Sequence, residues 1–237
     1  EALNNLIFPP NLSAIYHIDT QIFEFVFRVE KVDDPFWSRN FEFIFNGHNL
    51  PCKYTDSSER LMQLAKASQL KQAPSPTEYR NLRMYRDYCD PEKISPAAVK
   101  YFEKRKPMSF FLGPIKVDNT DQMLDLARHL NFYMFYFDRA TPQIIIHRPE
   151  DIIAEFNETS QEITFPSSII GSEIDTYMLD LWMGAKATSG RLAFLYYYQM
   201  LEYASFYFIE DQVKLRVEKI LRQPNILSSM DTCLAQV

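Results

Sequence analysis

Five polar side chains fall within one otherwise apolar stretch: Arg191, Tyr198, Gln199, Glu202 and Ser205, in the run GRLAFLYYYQMLEYASFYFI. A cation, a phenol, an amide, a carboxylate and a hydroxyl can together form a polar network. At about 100° per residue, Arg191, Tyr198, Glu202 and Ser205 share one narrow stripe of a helix, with Gln199 on its border. Leu192, Tyr196, Met200, Leu201, Ala204, Tyr207 and Phe208 fill the remaining circumference, which reads as a helix buried on those sides. Two readings follow. The stripe is the solvated face of an amphipathic helix, or it lines an interface or cleft where Glu202 is satisfied by Arg191, a tyrosine hydroxyl or a partner chain. An unpartnered buried carboxylate is too costly to persist.

A second set is Arg80, Arg83 and Arg86, interleaved with Tyr79, Tyr85 and Tyr88. Guanidinium groups beside aromatic rings suit phosphates and stacked bases, so nucleic-acid contact is one expectation and a solvated helix face the other. The histidines are His17, His48, His129 and His147. His147 ends the run IIIHRP and reads either as a site residue or as a satisfied structural histidine. None of the four sits beside a serine or cysteine nucleophile signature. No His pair has zinc spacing, and no Gly-x-Gly-x-x-Gly or Gly-Lys-Ser/Thr occurs. No cofactor or metal is therefore expected, and no catalytic residue is assigned.

The elements that carry these groups change along the chain. IFEFVFRVEKV alternates Phe23, Phe25, Phe27 and Val29 against Glu24, Arg28 and Glu30, the period of a half-buried strand. FEFIFNGHNLPCKYT repeats the alternation around Asn46-Gly47, the pair that a tight hairpin turn demands. SSERLMQLAKASQLK, PTEYRNLRMYRDY, SPAAVKYFEKRK and DNTDQMLDLARHL read as helices, the first capped by Ser57 or Ser58 and the third opening on proline. MSFFLGPIKV reads as a strand. NFYMFYFDRATPQIIIHRP reads as two strands around a turn at Arg139 to Pro142, unless its first part continues the helix. The fold class is α+β: residues 1–150 form a mainly antiparallel sheet with helices, 151–171 a polar linker with a short strand, and 172–237 a helical domain. In the last, SEIDTYMLDLWMGAKA forms one helix. Residues 190–222 form a second, kinked or broken near Glu210-Asp211 and stopped by Pro224.

The 237 residues are nearly half apolar, with 15% aromatic, enough for a sizeable core. The net charge of −6 disfavours broad attraction to nucleic acid or anionic membrane while leaving a local basic site open. The sparse, odd set Cys52, Cys89 and Cys233 points to a reducing compartment, hence the cytoplasm. The chain starts at Glu1 rather than Met, as a trimmed fragment does. Asn11 and Asn157 head glycosylation sequons, which matter only in a secreted protein. Leu192 to Ile209 has about the length of a membrane span. Glu202 near its centre costs about 2.5–3.5 kcal/mol there, so no membrane is expected.

The run Tyr197-Tyr198-Gln199-Met200-Leu201-Glu202-Tyr203 resembles the first core helix of HEPN-type domains, small helical bundles of prokaryotic defence and toxin–antitoxin systems. The resemblance implies a homodimer formed through the C-terminal helices. In active members it also implies metal-independent RNA cleavage by an Arg, then four to six residues, then a His on a later helix. The nearest candidates here, Arg139 and His147, are eight positions apart and lie before the helical region. Either the motif lies beyond this chain or the domain is catalytically silent. Three functions are thus expected: a defence or toxin-type protein with a HEPN-like domain, a non-catalytic interaction scaffold, or an enzyme with a site assembled from distant residues.

Overall fold

The computed structural model describes residues 5–9, 11–31, 37, 39–67, 80–147 and 165–222. The chain forms two compact units, Glu1–Ile174 and Asp175–Val237.

Alternating apolar residues build the first unit's sheet. Its strands are β1 (Leu6–Ile7), β2 (Ala14–His17), β3 (Ile22–Lys31), β4 (Asn40–Phe45), β5 (His48–Asp56), β6 (Arg105–Leu112) and β7 (Ser168–Gly171). They lie in the order β1-β2-β3-β6-β5-β4-β7, all pairs antiparallel except β4 with β7. The β4–β5 turn carries positive φ at Asn46 (47°) and Gly47 (78°), the pairing that matches the twist of a two-residue hairpin. Between the strands lie α1 (Glu59–Ala67), α2 (Arg80–Cys89), α3 (Pro96–Phe102) and α4 (Thr120–Phe137).

Both faces of the sheet are covered. Phe23, Phe25, Phe43, Phe110 and Leu112 pack with Met123, Leu126, Leu130 and Met134 of α4. On the opposite face Ile15 and Val26 pack with Leu61 and Ala65 of α1 and Tyr85 of α2. The strand expected to be half-buried is thus enclosed on both sides over residues 23–27, and Glu24 of its polar face is fully buried.

Two expectations change. NFYMFYF is the second half of α4 rather than a strand. Leu130, Asn131, Met134 and Phe135 are buried at helical spacing while Tyr136 faces solvent, so the burial period is 3.6 rather than 2. The strand expected after it reduces to a single bridge between Leu12 and Ile146. Asn131 replaces a neighbouring strand there: its side-chain amide donates to the Ile144 carbonyl and its oxygen accepts from the Ile144 N–H. The polar stretch 151–171 is described only from residue 165, and its short strand is β7, a member of the sheet beside β4.

The second unit holds α5 (Thr176–Ala187) and α6 (Gly190–Leu221). Asp175 caps α5 by accepting from the Tyr177 and Met178 N–H groups. Gly190, at φ 61°, opens α6. The helix is not broken near Glu210-Asp211: α6 runs without interruption over 32 residues. Glu210 pairs with Lys214 at 2.8 Å, and Glu218 pairs with Arg222. Acid-before-base pairs four apart favour continuation of a helix. Pro224 lies outside the described residues.

Candidate interaction surface and a buried carboxylate network

The polar stripe sits on α6. One side of that helix meets α5. The Gly184 backbone lies so close to the Tyr196 ring that an added Cβ would stand 2.9 Å from it. The Tyr177 and Tyr203 rings lie 4.9 Å apart, and Tyr203 meets Tyr207 in a tilted contact at 4.4 Å. The hydrogen bond to Tyr207 holds the Tyr203 phenol above its ordinary value, with desolvation and Asp175 adding to it.

Arg191, Tyr198, Glu202 and Ser205 are exposed, and Gln199 is half-buried. Tyr198 donates to the Glu202 carboxylate one turn away, which raises the phenol's pKa. The stripe is therefore a real row of groups, but the sides beside it are not buried as expected. Phe194 is 71% exposed, Leu201 68%, Phe206 66%, Phe208 66% and Ile209 63%. A single companion helix, α5, can cover only one sector of a cylinder. The rest of α6 presents aromatic and aliphatic groups.

The basic set is partly accounted for. Arg80, Arg83 and Arg86 all lie on α2, where the Arg86 guanidinium pairs with Asp87 at 2.9 Å. The side chains of Arg80 and Arg83 lie outside the described residues. Of the interleaved tyrosines, Tyr85 is core: its hydroxyl donates to the Met108 carbonyl at 2.6 Å, and burial pushes its pKa up. It offers no ring for stacking.

Three of the four histidines, His129, His147 and His17, are engaged by hydrogen bonds. His129 is buried on α4; Nδ1 donates to the Asp125 carbonyl and Nε2 accepts from the Ile174 N–H. His147 Nε2 lies 2.9 Å from the Ser13 hydroxyl across 134 positions of chain. His17 Nε2 lies 3.0 Å from Glu24 Oε2.

Glu24 is the centre of a network that local sequence reading missed. Oε1 accepts from the Ser58 N–H (2.8 Å) and the Ser109 hydroxyl (2.9 Å); Oε2 accepts from the Ser58 hydroxyl (2.5 Å). Ser58 Oγ also caps α1 by accepting from Leu61 N–H. The carboxylate thus sits at the start of α1, where the helix's free N–H groups favour negative charge. The one sequence signal was Val26, an apolar residue on the strand's otherwise polar side. Fully enclosed and hydrogen-bonded, Glu24 locks α1 to β3 and β6 and has no surface on which to meet a substrate.

The described residues contain no group of three or more His, Cys, Asp or Glu able to hold a metal ion. Among them, no helix is long and apolar enough to cross a membrane. The chain matches no family model, and neither curated proteins nor solved structures yield a match.

Proposed function

We propose that this protein is an assembly module whose docking element is α6, and that it works as a homodimer held by its C-terminal helices. The supporting observation is the exposed apolar circumference of α6 described above. Exposed patches beyond a few hundred Å² mark interaction surfaces on soluble proteins. Burying one Leu, Ile or Phe side chain contributes about 1.5–3 kcal/mol, so a few of these residues suffice to drive association. The non-catalytic scaffold is the expectation this favours. The HEPN-like reading shares the helical pairing. Its RNA chemistry requires an Arg–His motif that α5 and α6 do not carry, since the four histidines all precede residue 150.

The test is the mass of the protein in solution, by light scattering or sedimentation. The native chain is expected to form a dimer at micromolar concentration. Phe206→Glu with Phe208→Glu is expected to weaken it at least a hundredfold while leaving the far-ultraviolet circular dichroism unchanged. A native chain that stays monomeric at about 100 µM, a concentration at which a specific dimer is assembled, removes the proposal.

A further inference from the structure

We infer that two copies of α6 pair antiparallel, in a register set by Gln199 of each copy against Glu202 of the other. This rests on the assembly reading above and adds a partner, an orientation and an alignment. Leu192, Leu195, Gln199, Glu202, Phe206 and Ile209 are spaced three and four residues apart in turn. That is the repeat of a helix–helix seam. It lies on an open side of the helix: Leu192 and Leu195 are each 47% exposed. Tyr196 and Tyr203, which meet α5, come one residue and about 100° further round. A helix with neighbours on two adjoining sides is the arrangement of a four-helix bundle, here two α5–α6 hairpins.

The seam is symmetric about the midpoint between Met200 and Leu201. Leu192 mirrors Ile209, Leu195 mirrors Phe206, and Gln199 mirrors Glu202. Reversing one helix against another copy therefore sets apolar on apolar at both ends. It also sets the one amide of the seam against its one carboxylate, twice, at the centre. The Gln199 amide donates to Glu202, which already accepts from Tyr198 of its own helix; a carboxylate has room for both. Any shift along the helix buries Glu202 against an aliphatic or aromatic group, an unpaired charge that disfavours the wrong register. A parallel pair stacks Glu202 on Glu202, which like-charge repulsion opposes. Arg191, Tyr198 and Ser205, seven residues apart, become the polar border of this seam. The other open flank, Phe194, Leu201 and Phe208, is wholly apolar at the same spacing. It holds no polar group to set an alignment, so the complementary pair selects the first.

Engineered cysteines read the orientation directly. Leu195 and Phe206 are exposed, so replacing them does not disturb the fold of one chain. Leu195→Cys with Phe206→Cys is expected to give a disulfide between residue 195 of one copy and residue 206 of the other, mapped by mass spectrometry so that native cysteines are not counted. Neither single variant is expected to cross-link to itself at its engineered position, because each lies about 16 Å along the helix from its own copy. Leu195→Cys alone joining two copies, or an assembled protein with no 195–206 bond, overturns the antiparallel register and leaves helix-mediated assembly standing. A chain that remains monomeric overturns both. Glu202→Leu removes the acceptor of the Gln199 amide and is expected to lower the yield of the 195–206 cross-link relative to other pairings; an unchanged cross-link pattern in that variant counts against the central pair.

Discussion

Unit 1 and α6 draw on the same aromatic-rich vocabulary and spend it in opposite ways. In the sheet, Phe25 stacks on Phe110 at 6.0 Å, and Tyr54 meets Phe110 at 4.6 Å. All three rings are nearly inaccessible. On α6, Phe194, Phe206 and Phe208 stand in the open. The same contrast holds for carboxylates: Glu24 is buried and saturated with donors, whereas Glu202 is exposed and accepts from Tyr198. The comparison teaches that the first unit encloses most of its described aromatic rings within one chain, while the long helix leaves most of its rings uncovered.

That contrast can be broken at several points. Phe110→Ala removes a ring from the centre of the sheet core and is expected to cost about 3–5 kcal/mol, read as a lower urea midpoint. A loss below about 1 kcal/mol there would mean the first unit is not tightly packed. Glu24→Ala comes next. It leaves the Ser58 N–H, two hydroxyls and the His17 ring without their acceptor, and about 1–3 kcal/mol is expected to go; an unchanged midpoint contradicts the network. Alkaline pH probes the buried phenols. Burial raises the pKa of Tyr54 and Tyr85, so above about pH 10 only the unfolded chain ionises them. Stability is fully present below that pH and falls as pH rises through it, by up to about 1.4 kcal/mol per unit per tyrosine. Tyr85→Phe is expected to make the fall shallower. The smallest effect belongs to α6: Phe208→Ala, read on the dissociated chain, is expected to change stability by about 0.5 kcal/mol or less. A larger loss would place that ring in a core and erase the distinction.

The sheet was legible because its signals are local. Alternation marked residues 22–31 and 41–45, and Asn46-Gly47 marked the turn. The polar groups of α6 were legible as a row because the helical period alone places them. What escaped was decided at long range. Glu24 looked like a solvent-facing residue of a strand, and only the packing of α1 and α2, more than thirty positions later, covers that face. The aromatic half of α4 mimicked a strand because Phe and Tyr are enriched in strands; its burial period emerges only once the sheet lies beneath it. The exposure of α6 could not be seen either, since an apolar helix looks the same whether its cover comes from its own chain or another.

The end of the first unit is tied down in a particular way. The Tyr133 hydroxyl accepts from the Ser172 N–H and donates to the Ser172 carbonyl, while His129 receives the Ile174 N–H. Both holders stand on α4, one turn apart, and act on the backbone just after β7. Tension applied to the chain at Ile174 is therefore met by two side chains of a helix before it reaches the edge strand. The fastening acts as a strain relief: these hydrogen bonds must give way before a pull from beyond Ile174 can reach the last strand.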